Sequence, residues 1–241
     1  MFMSDEVVYL GHRINKDGLQ PTEEKVKAVT DTPPPTNETE LRAFLGLVNY
    51  YGKFMQNLST RLAPLYDLLK KTAPWRWQEK QQKAFEEARN LLKSPKLLVH
   101  YDVNKELILA CDASPYGVGA VLAHQMDDGS ERPIGYASRT LTSAERKYSQ
   151  IDKEALAIVF GVKRFHQYTY GRKFTIYSDH KPLMYLFGES KGISPTASPR
   201  VQRWALTLSG YQYSIVHRPG DKLGNADGAD PGGALTDAPG L

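Results

Sequence analysis

The chain has 241 residues, with 31 Lys and Arg against 27 Asp and Glu for a formal charge of +4, and a single cysteine, Cys111. This length suits one large domain or two small ones with a core that needs no cross-links, and a lone cysteine excludes an intramolecular disulfide. No apolar run approaches the roughly 20 residues of a membrane helix, and the N-terminus lacks a signal-peptide pattern; the expected location is therefore cytoplasmic or nuclear, and the mild positive charge is compatible with a phosphate-rich partner.

In chain order, residues 6–14 (EVVYLGHRI) have strand composition and end at the turn Asn15-Lys16-Asp17-Gly18. A short helix is predicted over 23–29, followed by a Pro-rich stretch from Thr32 to Asn37. Asn37 or Thr39 caps the next helix, in which Leu41, Phe44, Leu45 and Val48 recur at helical spacing and form a buried stripe. Residues 58–69 and 78–92 read as two more helices, so the region 1–95 is expected to be mainly helical with one strand at its start.

The pattern changes near Pro95. Strands are predicted at 107–111, 118–123 and 133–138, with Asp127-Asp128-Gly129 as the hairpin turn between the last two. A long helix over 149–168 carries Ile151, Ala155, Ile158, Val162 and Phe165 on one face and ends before Gly171. A fourth strand at 174–178, a short helix at 182–187, a loop at 188–199, a helix at 200–208 and a fifth strand at 211–217 complete the series. The fold class is α/β of the mixed type: a five-stranded sheet in which three strands run antiparallel and the crossover helix returns the fourth parallel to the first. The domain reading is 1–95 helical, 96–230 mixed α/β, and 231–241 a small-residue tail expected to be disordered.

Four carboxylates stand out by position: Asp112 and Asp179 at strand ends, Glu154 in the first turns of the long helix, and Asp227 about ten residues beyond the last strand. Sites in such sheets gather at the carboxyl ends of strands. Clustered carboxylates repel one another, so this set makes sense with a hard divalent cation such as Mg²⁺, and two such ions can activate a water and stabilise the leaving oxygen of a phosphodiester. Each residue taken alone is equally an ordinary turn, cap or surface acid.

The segments LILACDASPYGVGAVLAH (107–124), YSQIDKEALAIVFGVKRFHQYTYGRKFTIYSDHKPL (148–183) and RVQRWALTLSGYQYSIVHRPGDKLGNAD (200–227) resemble, in order, the ribonuclease H domain of gypsy-type LTR-retrotransposon Pol polyproteins. Upstream, EVVYLGHRI resembles the end of a polymerase palm, and LRAFLGLVNYYGKFMQNLSTRLAPLYDLLKK the thumb and connection that follow it. The resemblance implies a ribonuclease H-like fold and an endonuclease that cuts the RNA strand of RNA·DNA hybrids. It implies two Mg²⁺ ions, replaceable by Mn²⁺, held by Asp112, Glu154, Asp179 and Asp227. His217 matches a histidine that assists proton transfer or product release; the other reading is an ordinary strand-end histidine. Ser114, Ser178 and His180 flank the carboxylates, and with Arg139, Lys181, Arg200 and Arg203 they are the expected nucleic-acid contacts.

Two departures matter. The polymerase aspartates of the family lie in a Tyr-X-Asp-Asp hairpin upstream of EVVYLGHRI; the Asp-Asp pair of this chain is the surface turn at Asp127. Polymerase activity is therefore not expected from the chain alone, and the palm and fingers of a parent polyprotein become expected partners. After Asp227 the sequence runs Gly228-Ala229-Asp230-Pro231 where the family continues as a short helix, which brings Asp230 forward as an alternative ligand. The competing functional reading is a catalytically inactive remnant that binds nucleic acid or protein.

Overall fold

The computed structural model describes residues 4–71, 73–93, 95–188 and 198–219. Asp227, Asp230, the tail expected to be disordered and most of the loop after Gly188 lie outside these residues.

The chain opens with a three-stranded antiparallel sheet, β1 (Glu6–Tyr9), β2 (His12–Asn15) and β3 (Gly18–Pro21). The single strand expected over 6–14 is thus two strands. Leu10 and Gly11 both take positive φ, 48° and 75°, and this pair folds the segment back on itself. Glycine reaches that region without penalty, and the positive pair matches the right-handed twist of a two-residue hairpin. Four α-helices follow: α1 (Glu23–Thr30), α2 (Glu38–Tyr50), α3 (Leu58–Arg61) and α4 (Ala63–Asp67). Asn37 caps α2 as expected, its side chain accepting from Glu40 N. The helix expected over 58–69 breaks into α3 and α4, with Pro64 in the first turn of α4, where a missing N–H costs nothing. Next come α5 (Glu79–Lys93) and three strands, β4 (Glu106–Ala113), β5 (Gly117–Gln125) and β6 (Glu131–Thr140). The helix expected over 149–168 ends earlier, as α6 (Gln150–Arg164), and restarts as α7 (His166–Thr169). The remainder is β7 (Lys173–Ser178), α8 (Leu183–Phe187), α9 (Pro199–Leu208) and β8 (Gln212–His217).

The second sheet has the order β6-β5-β4-β7-β8. Strands β4, β5 and β6 pair antiparallel, while β4–β7 and β7–β8 pair parallel. This is the mixed five-stranded sheet that the sequence predicts. Alternation along β4 and β5 divides it into two faces. Leu107, Leu109, Cys111, Val118, Ala120 and Leu122 join Ala155, Ile158 and Val162 of α6 in one core. Val121 and Tyr136 face the other way and pack into the core of the N-terminal region, with Leu45, Phe54, Leu58, Leu62 and Phe85. The helical region therefore covers one face of the sheet and α6 the other, and backbone bonds between Leu19 and Leu98 tie the small sheet to the chain leading into β4. No helix among the described residues is long and apolar enough to cross a membrane.

Close approach of α6 to the sheet depends on Gly161. A Cβ there would sit 3.0 Å from both Ala120 Cβ and Cys111 Sγ. Gly161→Val is expected to overpack this contact and lower stability by about 1–3 kcal/mol, read as an earlier midpoint in urea unfolding.

Candidate active site

The parallel register between β4 and β7 matches Ile108 with Thr175, Leu109 with Ile176 and Ala110 with Tyr177. Continued by two residues, it sets Asp112 beside Asp179, just past the end of β7. Both are half-buried. Glu154 reaches the same place from α6 and is only 3% exposed. Its first helical turns are fixed by Ser149, whose hydroxyl accepts from Asp152 N. Gln150 Nε2 donates to Glu154 Oε1, whereas the buried Glu154 Oε2 has no hydrogen-bond partner.

Burial, then Asp179 and Asp112, push the Glu154 carboxyl up from 4.5 to about 8. Burial and then Asp179 raise Asp112, against the lowering effect of hydrogen bonds from Ala113 N and Asn57. Burial first, then Glu154 and Asp112, also push the Cys111 thiol up, so this cysteine is an inert core group.

Among the described residues, no three His, Cys, Asp or Glu side chains are drawn close enough together to hold a metal ion. The donor set still suits a hard divalent cation: oxygen ligands only, mutual repulsion, and an orphan oxygen on Glu154 in a buried position. The fourth expected ligand, Asp227, lies outside the described residues.

His217 ends β8 opposite Ser178, and its Nε2 lies 3.0 Å from the backbone carbonyl of Asp179. A carbonyl only accepts, so Nε2 donates in this contact and Nδ1 is left to face other groups. The expected nucleic-acid contacts divide sharply. Lys181 and Arg203 are exposed. Arg139 is held by a bidentate pair with Glu145 at 2.7 and 2.8 Å, and Arg200 by Asp152 at 2.9 Å with its guanidinium over Tyr148. Ser178 is 2% exposed and its hydroxyl accepts from His180 N, so it shapes the turn carrying Asp179. Ser114 likewise accepts from Tyr116 N and Gly117 N in the tight turn after Asp112. His180 is half-buried in the turn next to Asp179.

Sequence reasoning missed Asn57, whose amide donates to Asp112 Oδ2 at 3.3 Å from a segment 55 residues away. It also missed a cleft of about 560 Å³ between the N-terminal region and β6, with Lys53, Tyr66, Arg139, Phe160 and Arg164 in its lining. Burial lowers the Lys53 ammonium from its usual range, and its Nζ lies over the Phe54 ring.

Residues 102–211 match the model of the RNase H-like domain found in reverse transcriptase. That match covers a little under half of the chain. Over 228 residues, 94% of the chain, it is 37% identical to the Tf2-3 and Tf2-4 transposon polyproteins of Schizosaccharomyces pombe. It spans 17% of the length of those relatives. Beyond the RNase H-like domain the fold is shared too. A foamy viral protease-reverse transcriptase solved with RNA/DNA hybrid superposes with a TM-score of 0.71 at 22% identity, over 98% of this chain and 32% of that one. The same viral protein solved with dsDNA gives 0.72 at 22% identity, over 90% and 46%.

The raised carboxyl of Glu154 has a consequence for stability. A group whose folded pKa exceeds its unfolded value stabilises fully below the unfolded value, and that contribution is lost as pH rises through the folded one. In EDTA, Glu154→Gln is expected to match wild type near pH 5. It should gain stability over wild type progressively up to about pH 8, where burial of the charge sets in. Urea midpoints measured across this range check it, and a difference that does not change with pH would refute the assignment.

Proposed function

We propose that the chain is the nuclease-bearing part of a retrotransposon reverse transcriptase and hydrolyses the RNA strand of RNA·DNA hybrids. The register that sets Asp112 beside Asp179, with the buried Glu154 within electrostatic reach of both, is the observation that carries this reading. Asp112, Glu154, Asp179 and, by motif, Asp227 would hold two Mg²⁺ ions, with Mn²⁺ as a substitute. When bound, these ions would supply an activated water and stabilisation of the leaving oxygen. The protein's own part is to hold the carboxylates at one sheet end, where burial and mutual repulsion favour a cation among them. His217, fixed through Nε2, presents Nδ1 as a proton acceptor or donor near the scissile phosphate.

The hybrid as substrate is supported by the fold shared with a reverse transcriptase solved with RNA/DNA hybrid. Lys181 and Arg203, both exposed, would meet phosphates directly. Arg139 and Arg200, already neutralised by Glu145 and Asp152, would act as oriented hydrogen-bond donors. The 2′-hydroxyls of the RNA strand distinguish it from DNA at such a site. We further propose that residues 1–95 correspond to the end of a palm and the thumb and connection, and that the palm and fingers of the parent polyprotein are the partners of this region.

The departure from the family pattern after Asp227, Gly228-Ala229-Asp230-Pro231, favours one second reading, a binding module without catalysis. A labelled RNA·DNA hybrid incubated with the purified chain separates the two. The expected result is cutting of the RNA strand with Mg²⁺, none in EDTA, and a fall to background in Asp112→Asn. Retention of hybrid without cutting, by folded protein in Mg²⁺, would establish the binding module instead. Cleavage that survives Asp112→Asn would refute the site.

A further inference from the structure

The turn before α3 is keyed onto the carboxylate end of the sheet. Asn57 takes the left-handed conformation, φ 52° and ψ 29°, at the N-cap position of α3. An asparagine there ordinarily accepts from its own helix. This one makes no such bond; its amide turns away and donates to Asp112 Oδ2. Around it, Ser59 N donates to Ser138 Oγ at 3.0 Å, and the hydroxyls of Thr60 and Ser114 meet at 2.8 Å. Two glycines of β5 make the fit possible. A Cβ on Gly119, the residue paired with Asp112, would lie 2.2 Å from Asn57 Oδ1. A Cβ on Gly117 would lie 2.7 Å from Ser59 Oγ.

We infer that Asn57 is a positioning residue for Asp112: the N-terminal helical region completes the metal site of the RNase H-like domain by fixing the rotamer of one of its ligands. The inference rests on the metal-site reading above. The bond occupies one oxygen of the carboxylate and holds the other in place, which is the role outer partners play for metal ligands. Its geometry is set by the left-handed turn and by the buried Leu58 and Leu62 that anchor α3 in the helical core. A piece of the chain confined to residues 102–211 would keep Asp112 and lose its partner.

The test is binding of Mg²⁺ alone, without hybrid, followed by titration calorimetry and by the metal-induced rise in melting temperature. Asn57→Gly keeps the left-handed turn and removes the donor. Gly119→Ala leaves both residues in place and pushes the amide away. Each is expected to raise the Mg²⁺ midpoint about tenfold. Ser138→Ala loosens the same docking without touching Asp112. It should lower the melting temperature in EDTA and leave the Mg²⁺ midpoint at the wild-type value. A folded Asn57→Gly that binds Mg²⁺ like wild type overturns the positioning role alone. Equal weakening in Ser138→Ala overturns it in favour of general loosening. Wild-type protein that takes up no Mg²⁺ overturns the metal-site reading and the positioning role with it.

Discussion

Repulsion between carboxylates held at one end of a sheet is the constraint to which the surrounding structure answers. Parallel pairing of β4 with β7 sets Asp112 and Asp179 side by side, and the crossover helix adds Glu154 in a nearly water-free position. Burial first, and then the charges of Asp179 and Asp112, push the Glu154 carboxyl to about 8. The local hydrogen bonds soften this without removing it: Gln150 serves one oxygen of Glu154, and Asn57 one oxygen of Asp112. A fold that concentrates negative charge in this way is stable because its two apolar faces are covered independently of the site.

Those two faces explain how one sheet belongs to two cores. Odd-numbered positions of β4 meet α6, with Gly161 letting the helix approach, while Val121 and Tyr136 on the reverse of the neighbouring strands meet the N-terminal helices. The alternation that buries Cys111 against α6 therefore turns Asp112 toward the N-terminal region. The same two-residue period that builds the hydrophobic core decides which part of the chain the acid can meet.

Much of this was legible in the sequence. The strands of the large sheet and its mixed topology follow from apolar runs separated by turn signals, and the Asp112, Glu154 and Asp179 positions follow from strand ends and a helix start. Local backbone chemistry was less legible. The positive φ at Leu10 breaks an apparently continuous strand, although only Gly11 advertised a turn. The restart at Pro64 and the break at Phe165 divide helices whose apolar periodicity runs through both. For Ser114 and Ser178, proximity to a carboxylate is visible in sequence, whereas capture of a hydroxyl by a neighbouring N–H is not. The Asn57 contact was out of reach altogether: it joins segments far apart in the chain, and the residue looks like a helix cap.

The parallel pairs have a consequence for how the molecule reaches its native state. β4 and β5 meet through a tight turn, and β5 and β6 through a hairpin, so these pairs close small loops. β4 with β7, and β7 with β8, join strands distant in sequence, and such contacts form only after the entropy of closing long loops has been overcome. The meander and its helix can thus condense while the carboxylates remain apart. On this loop-closure argument the two aspartates would meet only when β7 docks, and the most charged part of the structure would be assembled onto a framework already in place.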